Sequence, residues 1–401
     1  MLNGMFLKRL LEKEERLVVG LMSGTSLDGI DVTLARISGS GPEIQINVLH
    51  TFGKAYPDVL RERLLRNSLS DKPASVREIS QLNTLLPQFY ADAVQETLNE
   101  VGILFSDLDL IGSHGQTIHH VPKPEILIGK SVISTLQIGD GSFLANLTGV
   151  PVVCDFRTAD MALGGQGAPL VPYLDYVMFS DKNETRLLLN LGGIANITSL
   201  PKGGTAQEVR AFDTGPANMV INGLVQYFYG LPWDPDGQYG ATGTVDAALL
   251  KHCMSDPYFT APPPKSTGRE VYNATFIERL VSENPHLSPN DLIATATAFT
   301  AASIWTAYQS FLASDFPADV LIASGGGIHN QSLMQMLRTR FAPIRVCTLD
   351  DLGVSSDGKE ALCFAVLAHE YLNEVPTNMP SVTGASGPTL LGKLCLPAPK
   401  R

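Results

Sequence analysis

Short apolar runs that end in glycine-rich turns recur along the chain. The first covers residues 17–22, ends in the turn 24–29, and is followed by apolar positions at Ile30, Val32 and Leu34 with polar residues between some of them. Such a run followed by period-two alternation predicts a strand, a polar turn and a second strand. Similar runs at 186–191 and 320–323 lead into the turns 192–196 and 324–327. The chain therefore repeats one local pattern, a strand that ends in a glycine turn.

Other segments have helical periodicity. Between residues 75 and 98, apolar side chains recur three or four positions apart, and Pro87 predicts a break or a kink. Ser288, followed by Pro289 and Asp291, is typical of a helix start and predicts a long alanine-rich helix to residue 312. A short buried strand is expected at 108–111. Strands that alternate with helices predict an α/β fold, and the strand-turn pattern in both halves indicates a duplication.

Composition and charge exclude several classes of protein. The 401 residues are enough for about two domains. Because 29 basic residues face 40 acidic ones, the net charge is −11, which argues against nucleic acid and anionic membranes as general partners. No apolar run reaches the roughly 18 residues of a membrane span. Charged residues cluster at positions 8–16, where a signal peptide needs its apolar stretch, so the sequence predicts a cytoplasmic protein. The five cysteines have no CxxC or CxxH spacing and are expected to be reduced thiols.

The glycine turns are candidates for binding phosphate. Glycine lets main-chain N–H groups approach an anion, and neighbouring hydroxyl groups add donors. One such turn is more often a plain turn, but three of them favour a nucleotide site. A P-loop is excluded because Pro124 occupies the place of the leading glycine before Gly129, and no strand opens into a clean GxGxxG motif. If phosphate binds, hairpin turns from two domains bind it.

Candidate acids and bases have structural explanations as well as functional ones. Asp213 ends a short apolar segment, where an aspartate is either an Asx-turn or cap residue or a general base. Arg157 and Asp160 could bind a polar sugar or form a structural ion pair. Glu360 begins the last apolar helix, where the helix dipole favours a carboxylate regardless of function.

Three histidines, His114, His119 and His120, lie close together in the sequence. Ile118 occupies the position four residues after His114, so the spacing lacks the HxxxH pair of a metal site. We expect these histidines to lie in a loop and to face solvent or substrate.

Seven motifs in order resemble one bacterial family, anhydro-N-acetylmuramic acid kinase, which recycles peptidoglycan. They are SGTSLDGID at 23–31, SHGQT at 113–117, GGQGAP at 164–169, NLGGIAN at 190–196, FDTGP at 212–216, KSTGR at 265–269 and GGG at 325–327. The resemblance covers residues 17 to about 391 and leaves 1–16 as an extension. It implies an actin-like fold of the sugar-kinase and heat-shock-ATPase type, with two α/β domains of mixed sheets around a nucleotide cleft.

The resemblance also implies a reaction and a set of site residues. ATP with Mg²⁺ would phosphorylate O6 of the sugar while water opens the 1,6-anhydro ring, giving N-acetylmuramate 6-phosphate and ADP. Asp213 would be the catalytic base, and the sugar would be held by Thr117, Arg157, Asp160 and Glu360. The nucleotide would be bound by Ser23, Gly24, Thr25, Ser26, Leu27, Asp28, Gly29, Ile30, Asp31, Gly193, Asn196, Gly325, Gly326 and Gly327. No residue is predicted as a direct Mg²⁺ ligand, and a homodimer is expected.

The predicted domains are 1–157, with 370–401 returning to it, and 158–369. Two other functions remain open at this stage. One is a kinase of the same fold for an ordinary N-acetyl hexosamine or an acyl acceptor, in which Asp213 would take the proton of a sugar hydroxyl. The other is an ATP-binding chaperone or filament module, although the sequence has neither an added β-rich domain nor a charged tail.

Overall fold

The chain forms two compact units. The computed structural model describes residues 2–24, 27–68, 74–352 and 358–399. The first unit consists of Met1–Val177 with Asp357–Arg401, and the second of Met178–Ser356. The sequence prediction assigned 158–177 and 357–369 to the second domain, whereas in the structure these segments belong to the first unit.

The strands in the described ranges are, in chain order, β1 Glu15–Ser23, β2 Gly29–Ser38, β3 Gln45–Ala55, β4 Leu110–Leu127, β5 Lys130–Ile138, β6 Val152–Cys154, β7 Arg186–Leu191, β8 Ile194–Leu200, β9 Arg210–Pro216, β10 Val320–Ser324, β11 Arg345–Thr348 and β12 Lys393–Cys395. The predicted strands at 17–22, 186–191 and 320–323 are confirmed. The strand predicted at 108–111 is the start of the much longer β4.

The α-helices of the same ranges are α1 Leu2–Leu11, α2 Asp58–Ser68, α3 Val76–Val101, α4 Gly141–Thr148, α5 Thr158–Ala162, α6 Val171–Phe179, α7 Asn218–Tyr229, α8 Gln238–Thr242, α9 Ala247–Cys253, α10 Ala274–Ser282, α11 Pro289–Phe311, α12 Gln331–Phe341, α13 Lys359–Leu372 and α14 Pro380–Thr383. None of them combines the length and hydropathy that a bilayer span requires.

The two units repeat one sheet topology. In the first, the order is β12-β6-β4-β1-β2-β3, with β5 paired to β4; in the second, it is β11-β10-β7-β8-β9. Each begins with three antiparallel strands, β1-β2-β3 or β7-β8-β9, and β4 or β10 then pairs in parallel with the first of them. The duplication is confirmed, and the chain has the two-domain α/β fold of the actin-like class.

Two neighbouring glycines bring α13 close to the first sheet. Gly20 of β1 lies opposite Gly112 of β4 in the register. A Cβ built on Gly20 would overlap the carbonyl oxygen of Ala361, and one built on Gly112 would overlap that of Phe364. Both carbonyls belong to α13, whose residues 361–368 are buried. Because side chains are absent at both glycines, the helix backbone packs directly on the sheet, and this contact places 358–369 in the first unit.

Local capping explains where the long helix α11 begins, whereas core packing explains why α3 continues through a proline. Ser288 accepts a hydrogen bond from the N–H of Asp291, and Asp291 accepts one in return from the N–H of Ser288, which confirms the predicted start of α11. Pro87 does not end α3, which continues through it. Leu86 and Tyr90 of α3 are buried in the first core, and this packing outweighs the hydrogen bond that proline removes.

The amino-terminal helix α1 is connected to the first unit through Arg16, which is 1% exposed. The guanidinium donates to the carbonyls of Leu10 and Leu11, at 3.0 Å each, and to Oδ1 of Asn373 at 3.1 Å. It therefore joins the carboxyl end of α1 to the carboxyl end of α13.

Substituting Gly112→Ala is expected to destabilise the protein by about 3 kcal/mol, because the new methyl group meets the backbone of α13 and cannot be accommodated by a rotamer change. Denaturant unfolding measures the change. The matched control is Gly387→Ala, where a Cβ has no neighbouring atom within 4 Å and φ is not positive. Equal stability of the two variants would contradict the close packing described for α13.

Candidate functional site

The turn after β1 is held at the edge of the first sheet by side chains from neighbouring elements. The Nε2 of Gln116 donates to the carbonyl of Gly24 at 2.9 Å, and the hydroxyls of Ser23 and Tyr90 are 2.9 Å apart. Leu27 has a positive φ of 58° and its N–H donates to the carbonyl of Gly24. The predicted residues Thr25 and Ser26 lie outside the described residues.

Glu360 lies in the first turn of α13, beside strand β2. Gly358, with φ of 71°, precedes the helix, and the hydroxyl of Thr33 donates to its carbonyl at 3.0 Å. Glu360 is exposed on the surface of the unit. Partial desolvation by the surrounding chain and the nearby carboxylate of Asp31 raise the pKa of Glu360, whereas the positive charge of Arg157 lowers it. The predicted residues Asp31, Arg157 and Glu360 therefore interact electrostatically within the first unit.

Arg157 is oriented by two protein acceptors. Its Nε donates to Nε2 of His114 at 3.0 Å, and its Nη1 donates to the carbonyl of Gly167 at 2.7 Å. Burial lowers the pKa of Arg157 to about 10, far above neutrality, so the group remains a cation. Burial and this neighbouring charge lower the pKa of His114, which is therefore neutral with its proton on Nδ1.

His114 is 3% exposed on strand β4, which corrects the expectation that it lies in a loop and faces solvent or substrate. His119 and His120 also lie on β4, and Nδ1 of His120 is 3.0 Å from the hydroxyl of Thr135. The spacing could not reveal the contact of His114 with Arg157, because the two residues are 43 positions apart. Thr117 of the same strand is half-buried, and its hydroxyl accepts from Nε2 of Gln137.

Asp160 has no exposed surface, so its carboxylate contacts protein groups and not solvent. It accepts from the N–H of Gly167 at 2.8 Å, from Nδ2 of Asn378 at 3.0 Å and from the hydroxyl of Thr383 at 2.7 Å. Gly165 lies so close that a Cβ there would overlap the carboxylate. Asp160 therefore holds the turn 164–167, whose Gly167 carbonyl in turn orients Arg157.

In the second unit, Asp213 occupies the middle of β9, opposite Asn196 of β8. The N–H of Thr267 donates to its Oδ2 at 3.1 Å. Burial of the carboxyl raises the pKa of Asp213 to about 6; the Thr267 bond opposes this shift, and the charge of Glu270 adds to it. A carboxylate with this pKa is ionised at neutral pH and can accept a proton.

Tyr258 and Lys265 form hydrogen bonds with the backbone of Asp213, and neither was among the predicted site residues. The hydroxyl of Tyr258 donates to the Asp213 carbonyl at 2.7 Å, and the N–H of Asp213 donates to the Lys265 carbonyl at 3.3 Å. The Nζ of Lys265 lies 4.7 Å from the ring centres of both Tyr258 and Phe311, and burial lowers its pKa to about 8. Lys265 is in the KSTGR motif, which was the available signal; nothing local marks Tyr258.

The other two glycine turns meet at one edge of the second sheet. Strands β7 and β10 are parallel neighbours, with Asn190 opposite Ser324, so the turns that follow them lie side by side. Gly325 has φ of 82°, and a Cβ on it would lie 2.7 Å from Oδ1 of Asn190. At the exposed Gly326, by contrast, the nearest atom to such a Cβ is 3.9 Å away. Gly325 and Gly327 both lie against Leu191, the last residue of β7.

Comparison with solved structures gives likenesses at low identity. The activator of 2-hydroxyisocaproyl-CoA dehydratase from Clostridium difficile, with bound ADPNP, has a TM-score of 0.44 and 9% identity over 89% of this chain and 96% of that one. A ROK family glucokinase from Streptomyces griseus, in complex with glucose and AMPPNP, has a TM-score of 0.37 and 13% identity over 88% of this chain and 99% of that one.

Comparison of sequences is far more specific. The family described as anhydro-N-acetylmuramic acid kinase matches residues 16–397. A protein of that name from Salinibacter ruber is 49% identical over 96% of this chain and 98% of its own length. Another from Gloeobacter violaceus is 45% identical over 94% of this chain and 97% of its length. These matches confirm the resemblance carried by the seven motifs, and the chain belongs to the anhydro-N-acetylmuramic acid kinase family.

Proposed function

We propose that this protein uses ATP to open the 1,6-anhydro ring of anhydro-N-acetylmuramic acid and to phosphorylate O6, yielding N-acetylmuramate 6-phosphate and ADP for cell-wall recycling. The observation that carries the proposal is the family match over residues 16–397, within which Asp213 is a half-buried carboxylate with a raised pKa. A plain phosphoryl transfer needs positioning more than a strong base, whereas hydrolysis of the ring needs a base for water.

Asp213 is the general base in this proposal. It removes a proton from the water that attacks the anomeric carbon, and its pKa of about 6 leaves it ionised at neutral pH. The N–H of Thr267 and the hydroxyl of Tyr258 fix its position from two sides. The bond from the anomeric carbon to O6 breaks as phosphorus captures O6, so no separate acid is required for the leaving group.

The sugar is held by Thr117, Arg157 and Glu360 in this proposal. Nε and Nη1 of Arg157 donate to protein acceptors, which fixes the orientation of the guanidinium. A cation and a hydroxyl suit the carboxylate and hydroxyl groups of a muramic acid. Asp160 is a positioning residue, because its carboxylate is fully buried and acts through the turn 164–167.

The nucleotide is bound in this proposal by residues 23–31, by Gly193 and Asn196, and by Gly325–Gly327; residues 29–31 lie in β2 and Asn196 lies in β8. Among the residues that the structure describes, no group of three or more His, Cys, Asp or Glu side chains could hold a metal ion. Mg²⁺ that binds together with phosphates keeps several waters and needs few protein carboxylates. When bound with ATP, Mg²⁺ neutralises charge on the transferring phosphoryl group. Asp28 and Asp31 supply the carboxylate charge of the first turn.

The cytoplasm, where ATP is available, is the proposed location, and the five cysteines of the chain are free thiols in the structure, as a reducing compartment permits. A homodimer is proposed from the family resemblance.

The proposed reaction is tested by ADP release from Mg²⁺-ATP with anhydro-N-acetylmuramic acid, beside N-acetylmuramic acid and N-acetylglucosamine, in water enriched in heavy oxygen. Turnover is expected with the anhydro sugar alone, with one solvent oxygen at the anomeric carbon, because water opens the ring. Turnover with a reducing sugar alone would instead assign the protein to ordinary hexosamine kinases and would overturn the role of Asp213 as a base for water.

Asp213→Asn is expected to lower kcat by several powers of ten while leaving ATP affinity unchanged, because an amide cannot take the proton. In the unsubstituted protein, kcat/KM should fall as pH drops through about 6, where Asp213 becomes protonated. Asp315→Asn, an exposed carboxylate of the same unit, is the control and should retain full activity. Activity of Asp213→Asn near that of this control would exclude Asp213 as the base.

The same variant has a predictable stability. The folded protein keeps the Asp213 proton up to a pKa of about 6, above the ordinary 3.8, so ionisation costs folding free energy at higher pH. Asp213→Asn removes this cost, which amounts to at most about 3 kcal/mol. Its Tm should exceed that of the unsubstituted protein at pH 8, and most of the difference should disappear at pH 4.

Gly326→Val is expected to abolish measurable ATP binding without loss of stability. The site of the new side chain is open in the protein itself, so only a ligand would collide with it. Calorimetric titration with a non-hydrolysable ATP analogue measures the affinity, and thermal unfolding measures the stability. Gly387→Val, at an equally open position of the first unit, serves as the control. Unchanged nucleotide affinity would show that the turn 325–327 does not contact the nucleotide.

A further inference from the structure

Two thiols lie side by side at the outer edge of the first sheet. Strand β12 pairs antiparallel with β6, with Lys393 opposite Cys154. Cys395, two residues beyond Lys393, therefore projects from the same face as Cys154. The two Sγ atoms are 4.0 Å apart, although the residues are 241 positions apart in sequence. Both side chains are partly exposed, so small reagents can reach them.

The first turn of helix α4 packs against the two sulfur atoms. A Cβ built on Gly141, the first residue of that helix, would lie 2.6 Å from Sγ of Cys154 and 3.1 Å from Sγ of Cys395. The absence of a side chain at Gly141 thus leaves the space that both sulfur atoms occupy. The N–H groups of Ser142 and Phe143 in this turn donate to the capping carboxylate of Asp140, so the turn gives the sulfur atoms space and not free N–H donors.

The surroundings make the two thiols chemically different. Hydrogen bonds from the Cys154 thiol and from the Ser142 hydroxyl lower the pKa of Cys395 to about 6, and the charge of Lys393 contributes. Partial burial and the carboxylate of Asp140 oppose this shift. The bond to Cys395 and burial raise the pKa of Cys154, with Asp155 and Asp140 acting in the same direction. The Cys154 thiol also donates to the Lys393 carbonyl at 3.8 Å, so Cys154 is the protonated member of the pair and Cys395 is the one that can ionise.

We propose that Cys154 and Cys395 form an oxidisable dithiol site, whose substrate is a small peroxide and whose product is a disulfide between β6 and β12. The Cys395 thiolate attacks one oxygen of the peroxide, the O–O bond breaks, and Cys395 becomes a sulfenic acid as hydroxide leaves. The Cys154 sulfur then displaces the hydroxyl of that sulfenic acid. In sum, two thiols are oxidised, one hydrogen peroxide is reduced, and two waters form.

The dithiol shares no residue with the proposed sugar and nucleotide sites, and its oxidation does not depend on the proposed function. The disulfide would connect β12, near the carboxyl end of the chain, to the strand that immediately precedes Asp155. Lys393 already forms an ion pair with Asp155 across the same two strands. Oxidation is therefore expected to raise the Tm, since the bond closes a loop of more than two hundred residues.

The test treats the full-length protein with one equivalent of hydrogen peroxide, blocks remaining thiols with iodoacetamide, and identifies linked peptides by mass spectrometry. A peptide pair joined through Cys154 and Cys395 is expected to form first and to disappear after reduction. Cys253, a partly buried single thiol whose pKa is raised, is the internal control and should stay reduced.

Two variants distinguish the order of events. In Cys154→Ser, Cys395 should still react with peroxide and should accumulate as a sulfenic acid that dimedone traps. In Cys395→Ser, Cys154 should react no faster than Cys253. Far-UV circular dichroism checks the folding of both variants. If the unsubstituted protein oxidises at Cys253 as fast as at Cys395, or yields no link between 154 and 395, the dithiol site is refuted.

Discussion

The contact between α13 and the first sheet determines where the groups of the first unit lie. A helix backbone touches a sheet backbone only where side chains are absent, and Gly20 and Gly112 provide that gap on adjacent strands. The contact fixes the start of α13 beside β2, where Thr33 binds the carbonyl of Gly358. Glu360 thereby comes within electrostatic reach of Asp31 and Arg157, residues far from it in sequence.

The duplicated topology explains why glycine turns recur in this chain. In each unit, the first two strands form a hairpin, and the fourth strand, β4 or β10, runs parallel to the first. Turns at the ends of parallel neighbours meet at one edge, as the turns after β7 and β10 do. The two units differ in the charged groups that they carry. The first has the cation of Arg157 with the carboxylates of Asp31 and Glu360, and the second has Asp213, a half-buried carboxyl with a raised pKa.

Structural features that depend on a few neighbouring residues were predictable from the sequence. Strand β7 and the capping of α11 by Ser288 were predictable, because alternation and capping residues act within a few positions. The continuation of α3 through Pro87 was not predictable, because it depends on the burial of residues next to Pro87 in the core of the first unit.

The candidate site shows the same division between local and distant effects. The motifs identified Asp213 and the glycine turns, since a family signature is local in sequence. The burial of His114 and the three donors on Asp160 depend on partners up to 223 positions away, so no spacing rule could reveal them. The domain limits differed from the prediction for a similar reason, since only tertiary packing shows which sheet α13 contacts.

Arg16 makes the amino-terminal helix part of the folded unit although the family match begins only at residue 16. Two of its hydrogen bonds end on carbonyls of α1, and the side chain is almost completely buried. A chain trimmed to the family limits would lose both acceptors while keeping the buried cation, whose desolvation would then be poorly compensated. The amino-terminal helix and Arg16 are thus energetically coupled, because the helix carbonyls compensate the cost of burying the guanidinium.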